Sequence, residues 1–186
     1  MEEKMIKTFY LMRHGQTRFN VQGRIQGMCD SPLTEERIEQ AKAARRYFEQ
    51  EGITFTRVYS STQERACDTA ELATGRVDYI RLKGIKEMDF GAYEAHQEYL
   101  NPPVHHEDGS DYRDFFVRYG GESTAQVYEC MEQTIREVLE DSKEDETLLF
   151  VSHGGAIMRF YLHATKNPPI PKKRPANCAI FKITYD

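Results

Sequence analysis

The sequence predicts a three-layer α/β/α sandwich around a mostly parallel central sheet. Two observations carry that expectation. Strand-like apolar runs alternate with helical stretches along the chain, the order that builds parallel sheets. Two of those runs, Phe9-Tyr10-Leu11-Met12 and Leu148-Leu149-Phe150-Val151-Ser152, each lead to a histidine followed by glycine, in Arg13-His14-Gly15 and His153-Gly154-Gly155. Ligands of open α/β sheets bind beyond the carboxyl ends of the strands. Two histidines far apart in the chain can therefore meet at one sheet edge. A chain of 186 residues suits a single domain, 1–186, with a sizeable core.

The elements follow in order. Residues 6–12 read as a buried strand. Pro32-Leu33-Thr34-Glu35-Glu36 starts a helix, with Thr34 as N-cap and acids in the first turn. Ile38, Ala41, Ala44 and Phe48 share a face of it, and Gly52 ends it. Phe55–Tyr59 is a short strand running into Ser60-Ser61-Thr62, and an Ala- and Glu-rich helix at 63–74 closes at Gly75. Tyr79–Leu82 reads as another strand. Ser123-x-x-Gln126 has the form of a capping box, and Val127, Met131, Ile135 and Val138 make the stripe of the helix it opens. A strand at 147–152, a helix at 155–165 and an alternating strand at 178–184 complete the order. Residues 92–120 fit no single period. With Pro102-Pro103 and many aromatics, they read as a lid or binding insertion, or equally as a packed surface excursion.

Composition narrows the function classes. The net charge of −5 gives no global reason to expect nucleic acid as a partner. No apolar stretch approaches the roughly 18 residues that span a bilayer, so no membrane partner is expected. The acidic start Met1-Glu2-Glu3-Lys4 lacks the apolar core of a signal peptide, which points to a cytoplasmic protein. Cys29, Cys67, Cys130 and Cys178 are scattered and read as reduced thiols. Nothing in the sequence speaks to oligomeric state.

The chemistry-bearing residues suit phosphoryl transfer. His14 and His153 follow strands. Arg65 lies early in the helix after Ser60-Ser61-Thr62. Glu87 stands in a loop before Gly91. A phosphate monoester carries nearly two negative charges at neutral pH. The planar forks of Arg13 and Arg65 match its oxygens with charge-assisted bonds. An imidazole is a competent nucleophile near neutral pH, and a carboxylic acid can protonate the departing oxygen. Asp89 and Glu94 are neighbours that could serve in place of Glu87. Three other patterns are rejected. Cys130-x5-Arg136 has cysteine-phosphatase spacing, yet Cys130 falls mid-helix beside the apolar stripe with no glycine to form a cradle. His105-His106-Glu107-Asp108 reads as solvated loop rather than a metal site, and Lys172-Lys173-Arg174 as a solvated turn.

These residues resemble the histidine phosphatase superfamily, the phosphoglycerate mutase-like family. The blocks that carry the resemblance occur in the family's order. They are Arg13-His14-Gly15-Gln16-Thr17-x-x-Asn20, Gly23-Arg24-Ile25-Gln26-Gly27, Asp30-Ser31-Pro32-Leu33-Thr34 and Ser61…Arg65-Ala66-x-x-Thr69-Ala70. Glu87-x-x-Phe90-Gly91, Gly120-Gly121-Glu122-Ser123 and Val151-Ser152-His153-Gly154-Gly155 follow. The resemblance implies a phosphoglycerate mutase-like fold and a phosphatase acting on small phosphorylated metabolites. His14 would become phosphohistidine, with Arg13, Arg65 and His153 holding the phosphoryl oxygens. Glu87 would serve as acid, then base. Asn20, Gln26, Gly27 and Gly154 would lie against the substrate. It implies no metal and no cofactor. One departure is Ala95, where the family often has Gly; this touches loop geometry rather than chemistry.

The alternatives share the site. A phosphoglycerate mutase would use every one of these residues. Mutases of the family generally carry a longer segment before the Gly-Gly-Glu-Ser block and a longer tail, so a chain ending at Asp186 favours hydrolysis. A phosphoprotein- or phospholigand-binding module on the same fold is the third reading; His14 and Glu87 argue against it. Specificity is expected from residues 92–120, with Tyr99, Tyr112 and Phe116 setting KM, and from Gln26, Met28 and the 166–175 loop.

Overall fold

A computed structural model describes residues 7–102, 112–165 and 175–185. Among these residues the strands are β1 (Lys7–Arg13), β2 (Arg57–Ser61), β3 (Ile80–Leu82), β4 (Leu148–Ser152) and β5 (Ile180–Tyr185). They form one sheet in the order β3-β2-β4-β1-β5. Every pairing is parallel except that of β5, which runs antiparallel along β1. The helices are α1 (Arg18–Val21), α2 (Glu35–Gln50), α3 (Glu64–Thr74), α4 (Thr124–Asp141) and α5 (Gly154–Ala164).

Alternation along the strands divides the core into two layers, because successive side chains point to opposite sheet faces. Phe9, Leu11, Tyr59, Leu148 and Phe150 pack on one face with Val127, Met131, Ile135 and Leu139 of α4 and Ala156, Ile157 and Phe160 of α5. Tyr10, Met12, Val58, Leu149 and Val151 pack on the other with Ala44 and Phe48 of α2 and Ala66, Ala70 and Ala73 of α3. Both central strands are buried on both faces, hence their unbroken apolar runs.

The expected helix signals are mostly realised. Ser123 and Gln126 form a reciprocal capping box at α4, and Gly75 ends α3 in the left-handed region at φ 70°. Thr34 does precede α2, but its hydroxyl makes no capping bond and is buried without a partner among the described residues. The second strand lies two residues later than expected, because Thr56 pairs its N–H with the Thr147 carbonyl before the β2–β4 ladder begins.

The described parts of 92–120 contain short 3₁₀ turns, at Gly91–Tyr93, Glu98–Leu100 and Val117–Tyr119. Phe90, Tyr93, Tyr112, Phe115, Phe116 and Tyr119 pack edge to face there. Phe116 is fully buried and Tyr112 nearly so, both within the α4–α5 core layer. They are packing residues, which runs against the expectation that they set KM, whereas Tyr99 is 80% exposed. The His105–Asp108 and Lys172–Arg174 stretches lie outside the described residues.

Candidate active site

Sheet register brings the two histidines together. β1 and β4 are adjacent and parallel, with Arg13 opposite Ser152. His14 and His153 therefore leave the sheet at the same level. The His14 N–H bonds the Ser152 carbonyl at 2.9 Å, and the two rings lie 5.0 Å apart between centroids. β2 flanks β4 on the other side and ends at Ser61, whose Oγ stands 2.7 Å from His153 Nε2.

The His14 tautomer follows from chemistry. Its Nδ1 lies 2.6 Å from the Gly15 carbonyl oxygen, which can only accept, so Nδ1 carries the proton. Nε2 is left with its lone pair. Burial, then the charges of Arg65 and Arg13, hold the His14 pKa well below the usual histidine value, against a smaller opposite effect of the Gly15 carbonyl. His153 is likewise depressed, by burial and then by Arg65, His14 and Arg13. Both rings are neutral at pH 7, as a nucleophile requires.

Arg65, on the first turn of α3, is buried beneath the 26–30 loop. Its Nη1 donates to the Cys29 carbonyl at 2.9 Å and to Asp30 Oδ1 at 3.0 Å, and its Nη2 to the Gly27 carbonyl at 2.8 Å. Two carbonyls and the Asp30 carboxylate fix the guanidinium, and the ion pair with Asp30 offsets part of its charge. Arg13 is braced by the Pro175 carbonyl. Its guanidinium also lies against Gly154, where a Cβ would fall 2.9 Å from Arg13 Nε. Arg65 Nε, Gln26 Nε2 and His153 Nδ1 are buried without a partner among the described residues. Such groups are costly in a closed interior.

The first turn of α5 holds the Glu87 carboxylate. Glu87 Oε2 accepts the Gly155 N–H and Oε1 the Ala156 N–H, each at 2.9 Å. His153, Arg13 and Glu87 thus converge on the N-terminus of one helix. The alternatives to Glu87 are committed elsewhere. Glu94 accepts the N–H groups of Gly27, Met28, Cys29 and Phe90, clasping the 26–30 loop to the segment after Glu87. Asp89 accepts the Gly91 N–H.

The binding residues expected from sequence make local contacts among the described residues. Asn20 and Thr17 cap α1 reciprocally, and Gln26 Oε1 accepts the Thr17 hydroxyl at 2.6 Å. Gly27 is needed for packing, since a Cβ there would fall 2.0 Å from the Met88 carbonyl oxygen. Three contributors were not assigned a role from sequence. Gln63 ties the acid to the loop, accepting the Glu87 N–H at 3.0 Å and donating to the Gly27 carbonyl. Thr69 accepts the Gly15 N–H at 3.0 Å, and Ser61 meets His153. Each is an uncharged polar side chain between the end of β2 and the middle of α3, in a block already notable for Arg65. Cys130 sits exposed within α4, away from any cradle.

The comparisons with known proteins decide the family. Residues 9–186 match the sequence model of the histidine phosphatase superfamily, branch 1. The chain belongs to that superfamily. Members similar to it include a protein of Proteus mirabilis named "Probable phosphoglycerate mutase GpmB", 40% identical over 90 residues, which are 47% of this chain and 41% of that one. A metal-independent phosphoserine phosphatase of Arabidopsis thaliana is 30% identical over 88% of this chain and 71% of its own length. The chain thus spans under half of the first relative and most of the second. Among solved structures, YhfR of Bacillus stearothermophilus superposes with a TM-score of 0.80 at 25% identity, over 97% of this chain and 92% of that one. This superfamily member has no described helix long and apolar enough to cross a membrane.

Proposed function

We propose that the protein is a phosphatase that hydrolyses small phosphorylated metabolites through a phosphohistidine intermediate. The observation that carries this reading is the bond from His14 Nδ1 to the Gly15 carbonyl, which leaves a neutral ring's Nε2 lone pair among buried cationic donors. Nε2 attacks phosphorus and the bond to the ester oxygen breaks. That oxygen takes a proton from Glu87. Water then attacks the phosphohistidine, gives its proton to Glu87 and displaces His14, releasing inorganic phosphate. Arg13, Arg65 and His153 face the charge that spreads over the equatorial oxygens, where one removed donor typically costs about 10²–10³ in kcat. Asn20, Gln26, Gly27 and Gly154 line the substrate side. The reaction asks for no metal or cofactor, because these fixed donors supply the charge stabilisation. The likeness to a phosphoserine phosphatase over most of the chain supports hydrolysis.

Phosphoglycerate mutase activity is the second reading, favoured by the 40% identity to GpmB. Phosphate release from a panel of small phosphoesters, with phosphoserine and 3-phosphoglycerate included, separates the two. Hydrolysis should exceed isomerisation, and brief exposure to labelled substrate should leave acid-labile label on the wild type only. A His14→Ala variant at wild-type rate would sink the mechanism. Isomerisation of 3-phosphoglycerate well above its hydrolysis would select the mutase, and tight binding without turnover a binding module.

A further inference from the structure

We infer that Ser61 is a positioning residue that fixes the tautomer of His153 and so makes its Nδ1 a hydrogen-bond donor. Ser61 ends β2 and is fully buried, as is His153. Its hydroxyl has two partners. The Gln63 N–H donates to Ser61 Oγ at 3.3 Å, and His153 Nε2 lies 2.7 Å from the same oxygen. The first bond uses a lone pair of Oγ, so the hydroxyl proton still needs an acceptor. Only Nε2 is in reach among the described residues. Were Nε2 protonated, the Ser61 hydroxyl would be buried with its proton unbonded, which folded interiors avoid.

Nε2 therefore accepts and the ring proton sits on Nδ1, which is buried and has no partner among the described residues. Burial and the neighbouring arginines keep the ring from holding a second proton. His14 and His153 then carry the same tautomer to opposite ends. The Gly15 carbonyl takes the Nδ1 proton of His14 and leaves a lone pair; Ser61 takes up Nε2 of His153 and leaves an N–H. One ring attacks and the other donates. The donor role toward a phosphoryl oxygen rests on the reading proposed above; the tautomer does not.

The test separates the two. Long-range ¹H–¹⁵N spectra of the ¹⁵N-histidine-labelled protein, assigned with His153→Gln, should show a protonated Nδ1 and bare Nε2 for His153. Ser61→Ala should remove this preference, lower kcat about 10- to 100-fold with KM changed less, and weaken inorganic phosphate binding. Ser61→Thr, which keeps the hydroxyl, should restore the tautomer. A wild-type His153 protonated on Nε2 overturns the inference, with or without folded variants. So does a Ser61→Ala protein with unchanged tautomer or unchanged phosphate affinity. Absent turnover of any phosphoester by the wild type, beside the expected spectra, overturns the phosphatase reading alone.

Discussion

The carboxylate of Glu87 accepts the backbone N–H of Gly155 at 2.9 Å, so it is aimed by the helix that also carries His153. A Cβ at position 155 would stand 2.5 Å from Glu87 Oε1. Gly155→Ala must therefore push the carboxylate aside. Alanine is the better helix former by up to about 1 kcal/mol, but the bonds from Gly155 and Ala156 to the displaced carboxylate are worth about 1.5–3 kcal/mol each, so the melting temperature should fall. General acid catalysis contributes about 10²–10⁴. We expect kcat for alkyl phosphates to fall at least about 10-fold, and to fall less for p-nitrophenyl phosphate, whose leaving group needs no proton. An equal loss on both substrates would mean that the displaced group is not the acid.

Glu94 is a structural carboxylate by its partners, the N–H groups of Gly27, Met28, Cys29 and Phe90. Hydrogen bonds to charged groups contribute about 1.5–3 kcal/mol each when buried, and Glu94 is half-buried. Glu94→Ala should lower unfolding free energy by roughly 2–4 kcal/mol and raise KM through the loosened 26–30 loop. Denaturant titration measures the first effect. If it instead abolished kcat with stability intact, the acid would have been misassigned.

How legible this was in the sequence depended on range. The apolar runs of β1 and β4 and the histidine after each were readable, because strand patterning and strand-end chemistry are local. The 5.0 Å approach of the rings needed register, which the pattern implies only if the strands are neighbours. Glu87 could not be separated from Asp89 and Glu94, since all are carboxylates in one loop. Their difference lies in which distant N–H groups they meet. Ser61 and Gln63 escaped for the same reason. Phe116 and Tyr112 were misread because an irregular segment hides the period that marks core residues.

That misreading has its own test. Phe116 is fully buried, so Phe116→Ala should cost about 3–5 kcal/mol. Tyr99→Ala, at an exposed position, should leave the melting temperature unchanged. Substrate ranking should follow Tyr99 rather than Phe116 in kinetics on those variants that stay folded. A Phe116→Ala protein of wild-type stability would contradict its place in the core.

Two buried neutral histidines tie stability to pH. Each has its folded pKa well below the 6.5 of the unfolded chain. Between these values the unfolded state binds more protons, so unfolding free energy falls as pH falls below 6.5. The full contribution is present above 6.5 and is lost toward the folded pKa, at up to about 1.4 kcal/mol per pH unit for each ring. Urea midpoints at pH 7.5 and 5.5 should differ in the wild type and differ less in His14→Gln. Equal slopes in the two proteins would mean that His14 is not held neutral.

Ala95 adopts φ 64°, in the left-handed region where a Cβ is crowded. The position is locked there by its surroundings: its N–H bonds the Ile25 carbonyl at 3.0 Å, and its own carbonyl accepts Arg24 Nη1 at 2.7 Å. Glycine takes this conformation without strain but gives up more freedom on folding. The balance favours Ala95→Gly by about 1 kcal/mol, or roughly 2–4 °C for a chain of this size. Activity should be unchanged, because Ala95 bonds the Ile25 backbone and the Arg24 side chain rather than the His14 ring. A fall in melting temperature would show that the backbone relaxes elsewhere at no cost and that the alanine is unstrained.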